Sequence, residues 1–320
     1  MITLLYTHPS FLDHDTGFWH PECADRLRAI LAAVDTPEFA KVVRKEPPHA
    51  SRAALERAHD PTHIDRILTV ALPEGEHIHL DSDTVMSDGS IDAALRAAGA
   101  VVDAVDEVMA GCADNAFCLV RPPGHHAERR EAMGFCLFNN AAIGVLHAKA
   151  TYRLERIAVV DFDVHHGNGT ENILKDEPGT LYISTHQDGA YPGTGSAKTK
   201  GGLGQILNCP LPAGTGSDGF RDAYDRLLLP RLETFDPQLL IVSAGFDAHA
   251  EDPLANLRLT TEDFAWITER LTAAAARHCR GRLVSVLEGG YDLAALADSA
   301  SAHLRGLMAA TTGSGAANDA

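Results

Sequence analysis

Short runs of Val, Ile and Leu recur at Ala116 to Val120, Ile157 to Asp161, Leu181 to Ser184, Leu239 to Ser243 and Leu283 to Leu287, and each passes straight into polar or glycine-rich residues. Runs this short that do not alternate with polar residues read as strands buried on both faces, the pattern of a parallel sheet. Between them lie stretches of helical period: Ile91 to Met109, Asn139 to Ala150, Gly219 to Phe235 and Thr260 to His278. The last has Thr260 as N-cap ahead of Glu262 and Asp263 in its first turn. This alternation predicts βαβ units, and so an α/β chain with a mainly parallel sheet covered by helices on both faces. No Gly/Ser or Pro-rich linker and no internal repeat divides residues 1–310, so one domain is expected there. The small, polar stretch from Thr311 to Ala320 is expected to be a disordered tail.

Charge narrows the partners. A net charge of -17 repels phosphate backbones, so nucleic acid is not expected to bind. The same field favours a cationic substrate, although many acidic chains carry such charge for solubility alone. Six cysteines (Cys23, Cys112, Cys118, Cys136, Cys209, Cys279) stand at irregular spacings with no C-x-x-C pair. That argues against a zinc knuckle or a disulfide framework and suits a reducing compartment. The first residues carry no basic segment, their apolar run is too short for a signal peptide, and no stretch reaches the roughly 20 apolar residues of a membrane span. A cytoplasmic chain with no membrane partner is the expectation.

Open parallel sheets place ligands at the carboxyl ends of their strands, and here all five strand ends carry chemistry. The segments are Arg121-Pro122-Pro123-Gly124-His125-His126, Asp161 to Gly169, Ser184-Thr185-His186, Ala244-Gly245-Phe246-Asp247 and Glu288-Gly289-Gly290-Tyr291. Asp161, Asp163 and His165 lie two apart, so on an extended chain they share a face while Phe162 and Val164 point to the opposite layer. Two carboxylates and an imidazole form a zinc-type set that leaves room for water and substrate, and Asp247 is the best-placed ligand from elsewhere. Any one such residue is more often a cap or a satisfied surface group, and the case rests on their convergence. Six other histidines, His59, His63, His77, His79, His147 and His278, lack this context and read as solvated or core groups.

Two further features stand out. The prolines before His125-His126 stiffen their turn and Gly124 permits close backbone approach, an arrangement suited to proton transfer. Gly289-Gly290 lets the backbone approach a site and aims the Tyr291 phenol at it, where the hydroxyl could donate to an oxyanion.

In combination these motifs resemble the zinc-dependent histone deacetylases and their bacterial relatives, the acetylpolyamine amidohydrolases and acetoin-utilisation proteins. The resemblance runs from His20-Pro21-Glu22 with Arg26, through Arg121 to Ala127, Gly134-Phe135-Cys136, Asp161 to Thr170 and Tyr191 to Gly195, to Ala244–Asp247 and Leu287–Tyr291. It implies the three-layer arginase/deacetylase fold with a sheet of about eight strands. It also implies Asp163, His165 and Asp247 as ligands of one zinc ion. Asp161 would orient His125, and its main-chain oxygen, with those of Asp163 and His165 and the Ser184 hydroxyl, would hold a structural potassium. Phe135 and Tyr191 would wall a narrow acyl-lysine tunnel, with Gly134 and Leu254 also facing substrate.

The implied reaction is hydrolysis of an acetyl amide, with acetate released. His126 would take the water proton, Tyr291 would help hold the oxyanion and a tandem histidine would protonate the amine. Asn168 occupies the second histidine-partner position, where class I enzymes carry Asp and class II enzymes Asn. A neutral partner predicts His126 as the neutral base and His125 as the more persistently charged group. The class II reading is reinforced by Gly167-Asn168-Gly169-Thr170 and Leu287 to Tyr291, and a tyrosine at 291 favours a competent enzyme.

Substrate choice turns on the stretch after Asp247. Polyamine-selective relatives carry an acidic gatekeeper there, whereas this chain has Leu254 after Asp252-Pro253, which favours acetyl-lysine in a peptide or protein over an acetylated small amine. Glu251 and Asp252 are the acids that could meet a second ammonium instead. Arginase-like ureohydrolases share the fold but need more carboxylates for two manganese ions than these segments supply. A non-catalytic acyl-lysine binding protein is the third reading, disfavoured because every expected catalytic position is intact. The donor set also accepts iron or cobalt.

Overall fold

The computed structural model describes residues 2–310; the tail expected over residues 311–320 lies outside them. Ten strands occur among the described residues: β1 (Thr3–Tyr6), β2 (Val43–Lys45), β3 (Ile78–His79), β4 (Val85–Met86), β5 (Asn115–Cys118), β6 (Ile157–Asp161), β7 (Thr180–Gln187), β8 (Ile206–Leu211), β9 (Leu239–Ala244) and β10 (Leu283–Leu287). Eight form one sheet in the order β2-β1-β5-β10-β9-β6-β7-β8, and all of its pairings are parallel. β3 and β4 form a separate antiparallel ribbon.

Every residue of β5, β6, β9 and β10 is buried, which is why these segments are mostly apolar. Register shows the layers. Ser285 of β10 bonds His303 of the helix Leu293–Ala309, with 2.8 Å between Oγ and Nε2. The neighbouring Val284 is in register with Ile241, whose side chain lies against Gly144 of the helix Asn140–Tyr152 on the other face. The first layer also contains Thr261–His278, the second Ser90–Ala110.

The edges depart from the pattern that reveals the centre. β8 mixes buried and half-buried residues and carries Pro210, as an edge strand permits. β2, at the other edge, is mostly exposed. The helical stretch expected over Gly219 to Phe235 starts at Ser217 and passes through a π-helical segment, Tyr224–Leu228, before Pro230, whose ring cannot sit in an undisturbed helix interior. Thr260 caps the helix Thr261–His278 in a capping box closed by Asp263. No described helix is long and apolar enough to cross a membrane.

Candidate active site

The carboxyl ends of β5, β6, β9 and β10 meet at one buried cluster. β6 ends at Asp161 and the chain then bends, so Asp163 and His165 lie beyond the strand rather than on it. The alternation expected of an extended chain still survives the bend. Phe162 packs at 6.0 Å from both Phe246 and Phe264 in the core, while Asp163 and His165 turn the other way. One oxygen or nitrogen each from Asp163, His165 and Asp247 lies within 4.8 Å of the others, and all three residues are buried. His165 Nδ1 is 3.1 Å from Asp163 Oδ1 and 3.1 Å from Asp247 Oδ2.

Two buried carboxylates packed this closely repel each other. Burial, with Asp163 adding to it, pushes the Asp247 carboxyl up to about 7. A divalent cation resolves that conflict, and the surrounding backbone leaves room for the donors: a Cβ on Gly289 would stand 2.1 Å from Asp247 Oδ2, and one on Gly245 2.0 Å from Asp163 Oδ2. The Gly289 amide donates to Asp163 Oδ2 at 2.8 Å and the Val164 amide to Asp247 Oδ1 at 2.8 Å, fixing both carboxylates. The donors present therefore fit a zinc-type ion.

The tandem histidines stand beside this cluster with ring centroids 4.0 Å apart. Their partners differ. His125 Nδ1 lies 3.1 Å from Asp161 Oδ2, which also accepts from Tyr182 at 2.9 Å, whereas His126 Nδ1 lies 2.8 Å from Asn168 Oδ1. Burial alone would lower the His125 imidazole, but the Asp163 and Asp161 carboxylates outweigh it and hold it well above the ordinary value. Burial, reinforced by His125 and His165, holds His126 well below it. The two imidazoles are thus shifted in opposite directions, one facing a carboxylate and the other a neutral amide.

A cavity of about 210 Å³ reaches His165 of this cluster and is lined by Asp83, His126, Gly134, Phe135, His165, Tyr191, Leu254 and Tyr291. Gly134 and Phe135 form a two-residue turn in which Met133 and Cys136 exchange backbone hydrogen bonds. Both have positive φ, 55° and 69°, the conformation of a type I′ hairpin turn. A bulky residue there is strained, and the turn spends that strain presenting the phenyl ring to the cavity. A Cβ on Gly134 would meet the His126 ring at 2.5 Å. Tyr191 faces the His126 ring edge-on at 5.0 Å. Burial holds the Tyr291 phenol well above its ordinary value, so it remains a donor, and Arg26 lies over its ring at 4.9 Å.

Sequence reasoning missed three groups. Asp83 lines the cavity from the β3–β4 connection, within a stretch whose Asp-Ser-Asp character reads as a plain turn. Glu288, in a segment noted for its glycines and Tyr291, accepts the amides of Gly124 and His125 at 2.7 and 3.1 Å and so anchors the tandem histidines. Glu128 bonds Asn168. Asp252, read as an acid able to reach a diffusible cation, is buried and accepts the amides of Leu254 and Tyr291 at 3.0 and 2.7 Å. Glu251 is exposed. Ser184 is the register partner of Asp161, and its hydroxyl lies 2.8 Å from His186 Nδ1. His59 and His63 are buried, and burial lowers both imidazoles.

A parallel α/β sandwich with an Asp-His-Asp cluster, paired histidines and a tyrosine at its strand ends has the donor set and proton-transfer groups of a hydrolytic enzyme. Comparison with known proteins narrows the class: the chain belongs to the histone deacetylase family, whose domain model matches residues 20–307. Histone deacetylase 14, chloroplastic, of Arabidopsis thaliana is 38% identical over 95% of this chain and 76% of its own length. The histone deacetylase-like amidohydrolase of Pseudomonas aeruginosa is 43% identical over 85% of this chain and 71% of its own. The crystal structure of the HDA15 HD domain superposes with a TM-score of 0.89 at 35% identity, covering 97% of this chain and 90% of that one. The fold is therefore the arginase/deacetylase fold, and the chain is a hydrolase of amide bonds.

Proposed function

We propose that the chain removes acetyl groups from acetyl-lysine side chains of peptides or proteins, with Asp163, His165 and Asp247 holding one zinc ion. The observation that carries this reading is the convergence of the three donors, the unequal histidines and Tyr291 at the floor of one narrow cavity. When bound, the ion supplies Lewis acidity toward a carbonyl and a water. The rest falls to side chains. Phe135 and Tyr191 flank the aliphatic stem of the acyl-lysine, and neutral His126 takes the proton of the attacking water at its free ring nitrogen. Tyr291 donates its phenol hydrogen to the tetrahedral oxyanion. His125, charged and held by Asp161, stabilises negative charge beside it and is the available acid for the departing amine. A potassium ion on the main-chain oxygens of Asp161, Asp163 and His165 with Ser184 belongs to the same reading, supported by the pairing of Asp161 with Ser184 across β6 and β7.

Acetyl-lysine is favoured because Leu254 is the residue that its loop presents at the mouth, while Asp252 is turned inward onto backbone amides. Exposed Phe18 and Trp19 immediately precede His20, whose ring packs on the cavity-lining Phe135 at 4.8 Å, so apolar side chains able to meet a peptide are adjacent in sequence to the cavity wall. One observation supports the second reading, an acetylpolyamine substrate: Asp83 also lines the mouth and could accept an ammonium as readily as a peptide N–H. The test is the ratio of kcat/KM on an acetyl-lysine peptide to that on acetylputrescine, using zinc-loaded enzyme. A ratio well above one is expected; a ratio well below one assigns the site to polyamines, with Asp83 as the cation partner.

A further inference from the structure

Asn168 can present either its oxygen or its nitrogen to His126, and the two choices have opposite consequences. An oxygen facing Nδ1 requires Nδ1 to carry the hydrogen and leaves Nε2 free as a base; an NH2 group facing Nδ1 does the reverse. Glu128 decides between them. Its Oε1 lies 2.8 Å from Asn168 Nδ2, and an ionised carboxylate only accepts, so the atom facing it must be the amide nitrogen and Oδ1 is turned to His126. Met133 Sδ, 3.3 Å from the same nitrogen, is a weak acceptor and favours the same orientation.

Glu128 is itself held in place. Its amide donates to the Glu131 carbonyl at 2.9 Å, and its carbonyl is 3.0 Å from His59 Nδ1. The Asn139 amide donates to His59 Nε2 at 2.9 Å, so the His59 hydrogen is on Nδ1 and points to Glu128. Among the described residues the Glu128 carboxylate makes one hydrogen bond, to Asn168.

We infer that Glu128 is a positioning residue that fixes the Asn168 amide and, through it, the tautomer of His126 in which Nε2 is the base. This rests on His126 serving as the base, and the geometry is that of a carboxylate acting two hydrogen bonds from the reacting atoms. The test uses zinc-loaded enzyme and two backgrounds. Replacing Glu128 by Ala is expected to lower kcat about tenfold or more with KM little changed, since misassigned tautomers are costly. In an Asn168→Asp background position 168 has no amide to orient, and the same replacement is expected to cost less than about twofold. Equal losses in both backgrounds, or no loss in either, overturn the inference. Should Glu128→Ala fail to fold, Glu128→Gln, which can donate as well as accept, makes the same comparison. Long-range 1H–15N correlation of labelled histidines reads the tautomer without turnover. The native chain is expected to show hydrogen on His126 Nδ1 and the variant a mixture; an unchanged tautomer overturns the positioning role even if His126 proves to be the base.

Discussion

The contrast between His125 and His126 shows how much one partner atom decides. Both rings are buried and adjacent, yet carboxylates raise the pKa of one, while burial and two neighbouring imidazoles lower that of the other. Giving His126 a carboxylate partner through Asn168→Asp stabilises its imidazolium, so its proton is held to higher pH. The base then becomes available later, and the acidic limb of the kcat/KM profile should move up by about one pH unit. A pH-rate profile that does not move contradicts the assignment of His126 as base. Tyr291→Phe removes one oxyanion donor while keeping the ring against Phe135, so kcat should fall about 10²–10³-fold with KM nearly constant in steady-state assays.

At the scale of elements, the site depends on backbone that admits no Cβ. Gly289→Ala should push Asp247 and Asp163 apart and weaken zinc binding by about tenfold or more in titration calorimetry, whatever its effect on turnover. The central strands and strand-end motifs were legible in sequence because a strand buried on both faces must be mostly apolar and its ligand-bearing end must not be. β2 and β8 were not, since an edge strand is free to alternate or expose its side chains. The Gly134-Phe135 turn was hidden for another reason: positive φ at a phenylalanine contradicts local preference and persists only through its surroundings. Glu288 and Glu128 escaped notice because their role is to bond groups distant in sequence, Gly124 and Asn168, and no local spacing encodes that.

Across the whole molecule, Glu22 joins elements that meet only in the folded chain. It accepts from Arg121 at 2.6 and 2.8 Å and from Arg26 at 3.1 Å, and Arg26 continues to the carbonyls of Glu288 and Gly290, each at 2.6 Å. All three charged residues are buried. Burial alone would raise the Glu22 carboxyl, but Arg121 and then Arg26 outweigh it and hold it below the ordinary range. A lowered folded-state value contributes stability above the unfolded carboxyl's pKa, and that stability is lost as pH falls through the lowered value. Glu22→Gln should therefore cost about 3–5 kcal/mol near neutral pH in denaturant titrations, with the gap to the native chain closing in strong acid. These contacts hold the Glu288–Gly290 backbone that leads into Tyr291. The most direct measurement is acetate release from an acetyl-lysine peptide by the zinc-loaded chain, by the chelated chain and by the chain after zinc is restored. Release that disappears on chelation and returns with zinc is the predicted result; release that persists without metal, or none at any stage, would contradict a metal-dependent deacetylase.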